Sequence, residues 1–495
     1  MGKPTNVLVE FSPAAIRGKA LPTFVPGREM AAEAAAPAKV PGFEIDASFG
    51  AVPMPKLVPR KAAEMDPFDI GPEFSVDAAP EVSNYLVRGT IDSDAINEAG
   101  VNFDRSQGIV AVYSDPRIQP CITCPSTPPV GTAANVANLL GVPLLARRGM
   151  DGTGVYVAVV DTGINLPYLN AHGKHPHTDS AKSWVPHAGL VPFNIPVNHG
   201  TMCAYDVCIA APKCTLLDVA VLQSTTPGGS IMDGLLSDAV RAYSFLLRIM
   251  LAPHRPGDAR SMVVTNSWGM FHPSWDFPPG NPGRYMDNPN HPFNRIVGSL
   301  ERAGADILFA AGNCGRDCPD SRCQGYTTGG IYGANGHPQV ICIAGVDITK
   351  ARVGYSSSGP GLLSRMKPDL TCYTHFSGSL VYPADGGTSA ACPTAAGVVA
   401  AFRAKFPYDR TNIKTHPAAI HSLLEHTAED RGAVGFDFDY GWGIINGRKL
   451  ATITTLTVME PEAVVEVTEE RAPAVERVQQ VEAAAAAEVA ELAKV

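Results

Sequence analysis

The sequence predicts an α/β fold: a mostly parallel sheet between two layers of helices, preceded by a small N-terminal αβ unit. Three observations carry this. From residue 133 to about 455, short and almost uniformly apolar runs alternate with longer amphipathic ones. Those short runs lack the in-and-out alternation of a half-exposed sheet, so each strand is covered on both faces. At 495 residues, with 45% hydrophobic and 18% charged residues, the chain can also bury a sizeable core.

Residues 1–78 are rich in Ala, Pro and charge without sustained periodicity, and read as mostly disordered. Residues 79–118 hold the small unit: the stretch 84–114 reads strand, short helix, strand. The Pro-rich connector 119–132 follows. The domain 133–455 has strands at 155–161, 215–222, 262–268, 307–313 and 340–346. Its main helices fall at 231–251, 293–304, after Ser389, and 418–429. The tail 456–495 is acidic and Ala-rich. Over 475–495, Val478, Val481, Ala485, Val489 and Leu492 recur at three- and four-residue steps, giving an amphipathic helix for docking or a solvated appendage.

Net charge is −9 and no basic run of useful length occurs, which argues against nucleic acid as a partner. No stretch reaches the about 18 apolar residues of a membrane span. The opening MGKPTNVLVEFSPAAIRGKALP has no apolar segment beyond residues 7–9, so no signal peptide is read. A cytoplasmic setting with free thiols is expected. Eleven cysteines is an odd count, so at least one is unpaired or bonded to another chain.

Chemistry collects at the carboxyl ends of strands in such a sheet. The run VYVAVVD ends in Asp161, costly there without a partner. His199 opens a helix in Asn-His-Gly-Thr, Asn313 closes the strand ILFAAGN, and Ser389 begins a buried helix after Asp-Gly-Gly-Thr. Taken singly, these are a turn residue, a capping or packed histidine, another turn residue and an N-cap. Together they are the parts of acyl transfer. Asp161 orients and charges the imidazole, His199 takes the serine proton, and Asn313 with the helix N-terminus holds the oxyanion. The glycines at 386 and 387 let a peptide carbonyl approach Ser389. Pro393 falls early in the helix, where a missing N–H costs least.

D-T-G at 161–163, H-G-T at 199–201 and G-T-S-A-A-C-P at 387–393 resemble the subtilisin-like serine proteases, family S8. Ala211-Pro212, Asn266-Ser-Trp-Gly, Ala310-Ala-Gly-Asn and Tyr440-Gly-Trp-Gly extend the likeness over about residues 145–455 in family order. The resemblance implies a subtilisin-like three-layer fold and a serine endopeptidase acting on polypeptides. It makes Asp161, His199 and Ser389 the triad and Asn313 the oxyanion donor. It makes Ser267, Trp268, Gly269, Ala310, Ala311 and Gly312 the walls of the substrate groove, Trp268 being bulkier than the usual Leu. The alternatives are a peptide ligase or macrocyclase on the same scaffold and a catalytically silent binding protein. No cofactor is implied. Structural calcium is common in the family, but no ligand set can be placed, and no other metal site is expected.

Cys203 and Cys392, beside the triad residues, read as small core residues. Cys314, Cys318 and Cys323 lack an obvious fourth zinc ligand and read as a disulfide or simple thiols. Cys121 and Cys124 have redox spacing without a βαβ setting. His172, His175 and His177 read as solvated. The unit at 84–114 resembles, in shortened form, the inhibitory propeptide of these enzymes, with a purely structural lobe as the alternative.

Overall fold

The computed structural model describes residues 3–12, 42–55, 57–59, 74–76, 82–97, 100–101, 108–120, 128–224, 233–253, 258–259 and 261–457. The expected tail helix at 475–495 and the pair Cys121 and Cys124 lie outside them.

The N-terminal sheet is built from β1 (Pro4–Phe11), β2 (Glu44–Ile45), β3 (Val52–Pro55), β4 (Val82–Asp92) and β5 (Ile109–Ser114). Its order is β2-β4-β1-β5, with β3 also on β4, and every pairing is antiparallel. Strand β1 corrects the expectation of disorder over residues 1–78: PTNVLVEF lies in the middle of this sheet. Its two-residue period explains why. Val7, Val9 and Phe11 fill one small core with Tyr85, Val87 and Ile109, while Leu8 faces the larger core of the second domain. The expected short helix after β4 is one three-residue 3₁₀ turn at Ser93–Ala95.

Glu10, on the Leu8 face of β1, is buried and accepts from Arg295 Nη1 (3.0 Å), Tyr113 Oη (2.9 Å) and Asn84 Nδ2 (2.7 Å). Arg88 of β4 bonds Asp238 at 2.9 Å. Both ties fasten the small sheet to helices of the larger domain.

Next comes β6 (Arg117–Pro120), then helices α1 (Ala133–Leu139) and α2 (Val142–Arg147). The large sheet uses β7 (Val155–Val160), β8 (His177–Thr178), β9 (Thr215–Val219), β11 (Ser261–Asn266), β13 (Ala305–Ala310), β14 (Ile341–Val346) and β15 (Leu370–Tyr373). Their order is β8-β9-β7-β11-β13-β14-β15, all parallel. Two short strands, β10 (Gly234–Leu235) and β12 (Trp268–Gly269), stand outside it and pair with β6. The remaining labelled helices are α3 (Leu166–Ala171), α4 (His199–Ala210), α5 (Leu236–Leu251), α6 (Pro292–Arg302), α7 (Thr388–Lys405), α8 (Pro417–Thr427) and α9 (Gly447–Leu450).

Strand β7 shows how the layers form. Val155, Val157 and Val159 pack with α4 and α7; Tyr156, Ala158 and Val160 pack with α5 and α6. One apolar strand thus feeds two cores. Helices α4 and α7 approach so closely that a Cβ at Gly397 would stand 2.4 Å from the carbonyl oxygen of Val207. Glycine there lets the helix carrying His199 lie directly on the helix carrying Ser389.

Candidate active site

Asp161 is the first residue after β7, with its backbone N–H donating to Val219 (3.0 Å). His199 is the first residue of α4, behind the cap Asn198, whose Oδ1 accepts the His199 N–H at 2.9 Å. Both side chains are buried, and His199 Nδ1 lies 2.8 Å from Asp161 Oδ1 and 3.0 Å from Oδ2. The carboxylate, acceptor only, fixes Nδ1 as the protonated nitrogen. The other nitrogen, Nε2, is buried without a hydrogen-bond partner among the described residues. It is therefore left as an acceptor.

Ser389 is not the N-cap that a lone G-T-S suggests. Gly387 caps α7 at φ 73°, so Ser389 is the second residue inside the helix. Pro393 lies beyond the first turn and takes away the N–H that would bond the Ser389 carbonyl. That carbonyl is satisfied instead by Ser267 Oγ at 3.0 Å and Cys203 Sγ at 3.6 Å. Ser389 Oγ in turn contacts the Ser267 carbonyl at 3.2 Å. The helix start is thus pinned through its backbone, and the hydroxyl does none of the capping.

Asn313 is fully buried, and its Oδ1 accepts from Thr388 N (2.9 Å) and Thr388 Oγ1 (3.0 Å). With the oxygen end of the amide committed, the –NH₂ end is turned the other way. Thr388 Oγ1 also accepts from Gly312 N at 3.1 Å, tying the end of the β13 segment to the start of α7. Sequence reasoning assigned Thr388 no such role, and a threonine beside a serine gives no signal of it.

Cys203 sits at the centre of the group. Its Sγ is 3.6 Å from Asp161 Oδ2 and 3.8 Å from His199 Nδ1. Burial, with the Asp161 charge beside it, pushes this thiol well above the usual range, which disarms it as a nucleophile. Cys392 is likewise a buried thiol outside any disulfide. Cys314 and Cys323 form a disulfide and Cys318 is disulfide-bonded, which rules out the zinc reading for these three. His172 stacks on Tyr168, and His175 contacts Asn170.

The residues expected to wall the groove divide. Gly269 and Trp268 pair through their backbones with Gln119 and Pro120 of β6. The Trp268 indole is turned into the core, donating to the Val160 carbonyl (2.9 Å) and packing on Phe293 and Phe309. Its bulk is accommodated there. Asn335 donates to the Trp268 and Ala310 carbonyls, each at 2.9 Å. Ala311 N bonds the Ile343 carbonyl, and Gly312 takes φ 101°, which favours glycine.

Asp206, on α4, is fully buried with its carboxyl facing that of Asp385, with which it shares a hydrogen bond. Burial first, then the nearby Asp385 charge, push it well above the ordinary carboxylate range; burial raises Asp385 to about 6. The folded protein therefore keeps a proton on Asp206 that the unfolded chain releases near pH 4, and stability falls as pH rises above that. Asp206→Asn cannot titrate. It should match the parent near pH 4 and melt higher at pH 8, as calorimetry at both values will read. An equal gap at both pH values would contradict this assignment.

Among the described residues, no helix is long and apolar enough to cross a membrane. The family model of the subtilases matches residues 152–443. Subtilisin E of Bacillus subtilis (strain 168) is 27% identical over 315 residues, covering 61% of this chain and 67% of that protein. Subtilisin of Bacillus pumilus is 27% identical over 315 residues, covering 61% and 93%. Furin-like protease 1, isoform 1-CRR, of Drosophila melanogaster is 27% identical over 273 residues, 51% of this chain but 22% of that protein. With its parallel seven-stranded sheet between helices, the chain belongs to the subtilase family and is a serine-type endopeptidase of subtilisin-like α/β fold.

Proposed function

We propose that this protein cleaves peptide bonds through Asp161, His199 and Ser389 by way of an acyl-enzyme, with Asn313 as oxyanion donor and no cofactor. The observation that carries the reading is the buried Asp161–His199 pair with Nε2 left as an acceptor. In the first step Ser389 Oγ bonds to the scissile carbonyl carbon and its proton passes to His199 Nε2. The imidazolium is stabilised by Asp161, and the new oxyanion by Asn313 Nδ2 and the start of α7. Collapse of the intermediate expels the amine, which takes the proton; water then repeats the sequence to release the acid.

A fluorophosphonate probe tests this. The intact mass should rise by one phosphonyl group, located on Ser389 by peptide mapping, and His199→Ala should suppress the labelling. An unlabelled protein would favour a silent binding protein. Labelling with amide products in place of acids would favour the ligase.

A second reading concerns the N-terminal unit. Strand β6 lies antiparallel between β10 and β12, with Ile118 opposite Gly234 and Gln119 opposite Gly269. It uses the same edges as an extended substrate would, and it ends at the Ser267 segment that touches Ser389. Just before it, buried Asp115 accepts the Ser237 N–H at the start of α5 (2.8 Å). The unit then acts as a tethered restraint at high effective concentration, removed by a cut in or just after residues 119–131. Mass spectrometry of N-termini tests it: the Ser389 chain should be trimmed and the Ser389→Ala chain left whole. If both stay whole and the former is fully active, the unit is structural.

A further inference from the structure

Helix α7 carries Ser389 at one end and stops at Lys405, about 24 Å away along its axis. A cavity of about 1340 Å³ opens at that far end. Part of its lining is apolar, with Phe245, Met250, Leu251 and Phe406. Leu251, the last residue of α5, is 43% exposed there. The volume exceeds the roughly 300–1,000 Å³ that suits a small molecule and is on the scale of a chain segment.

The rest of the lining is cationic. Lys182, Arg248, Arg302, Lys405, Arg410 and Lys414 face only two carboxylates, Asp258 and Asp409. Both carboxylates are engaged within the fold. Asp258 pairs with Lys182 Nζ at 3.2 Å, and Asp409 Oδ1 accepts from Thr411 N and Oγ1 at 2.9 and 2.8 Å. Among the described residues, Arg248, Lys405, Arg410 and Lys414 make no ion pair with a carboxylate. Arg248, Arg302 and Lys405 stand in the last turns of α5, α6 and α7, where the helix dipole favours a cation in any protein. Arg410 and Lys414 are exposed on the segment between α7 and α8, with no α-helix end to complement. In a chain of net charge −9, this face calls for an anion from outside the described fold.

The chain itself supplies one. Thr454, Thr455 and Leu456 line the cavity. Residues 458–470, which lie outside the described residues, read VMEPEAVVEVTEE: five glutamates, no lysine or arginine, and Val464, Val465 and Val467 among them. Glu460 follows Leu456 by four residues, so it stays within about 14 Å of it. On so short a tether the segment meets the cavity at high effective concentration.

We propose that residues 458–470 of the same chain dock in this cavity. Their glutamates pair with Arg248, Lys405, Arg410 and Lys414, and their valines cover the apolar lining. The docking surface is separate from the candidate active site and does not depend on the acyl-enzyme reading.

Carbodiimide cross-linking of the full chain, which joins a carboxylate to a lysine amine in contact with it, tests this. The Ser389→Ala chain is used so that no self-cleavage removes the tail. Isotope-labelled and unlabelled chains are mixed first, so that links within one molecule and links between two differ in mass. Peptide mapping should place glutamates of 458–470 on Lys405 or Lys414 within one molecule, and high salt should suppress these links. Arg248→Glu with Arg410→Glu leaves both lysines in place and should cut the links by about tenfold. Adding Glu462→Arg and Glu466→Arg should restore them through the remaining glutamates, which a chain damaged in its fold would not do.

The proposal is overturned if the tail links as often to lysines elsewhere on the surface as to Lys405 and Lys414. Links between differently labelled chains would put a second copy in the cavity instead. Links absent altogether, or unchanged by Arg248→Glu with Arg410→Glu, would leave the cavity to an acidic partner other than this tail. A charge-swapped chain that stays unlinked would count against it equally.

Discussion

Ser389→Ala is expected to lower kcat for peptide hydrolysis on the order of 10⁶-fold while the protein stays folded. The hydroxyl is the only group removed, and it carries little of the structure. Gly387, not Ser389, caps α7. The ties that hold this turn run to the Ser389 carbonyl, from Ser267 and Cys203, and alanine keeps that carbonyl. Loss of the hydroxyl's bond to the Ser267 carbonyl (3.2 Å) costs about 1 kcal/mol. Circular dichroism and melting should therefore be close to those of the parent. Hydrolysis by the purified variant at the parental rate would end the triad assignment.

The second large effect is expected at Asn313. Asn313→Ala should reduce kcat by roughly 10²–10³ with little change in KM, because the oxyanion exists only along the reaction path. The amide oxygen, bonded to Thr388 N and Oγ1, sets the direction of the –NH₂ group before substrate arrives. On the proposed assignment such a donor needs no reorientation when charge develops, so its removal is expected to act on the rate. A variant with raised KM and unchanged kcat would make Asn313 a substrate-positioning residue.

Much of this was legible in the sequence where the information is local. Strands such as VYVAVVD announce themselves by uniform apolarity, and β7 uses both faces in the way that pattern requires. Asp161 and His199, although 38 residues apart, could be expected to meet because each closes or opens an element at the same edge of a parallel sheet. The failures are non-local. PTNVLVEF is a strand only because β4 and β5 flank it, and neither is near it in sequence. RIQP becomes a strand because two edges elsewhere supply its hydrogen bonds. The Trp268 side chain could have faced the groove or the core, and the space beside Phe293 and Phe309 decides for the core. Pro393 looked harmless at a helix start; its cost appears only once Ser267 is seen satisfying the orphaned carbonyl.

The central place of β1 has a consequence for the order of events during synthesis. Its eight residues are made well before its neighbours, which begin at Val82 and end at Ser114, so the small sheet closes through long-range contacts, the slow kind. Even so, the residues of that sheet and of the strand Arg117–Pro120 are all synthesised before either of the strands that flank it, Gly234–Leu235 and Trp268–Gly269. The large domain then condenses around a strand already presented to it, and does not have to admit one afterwards. Refolding rates of the second domain with and without residues 3–120 would report the difference; equal rates would mean that the early sheet guides nothing.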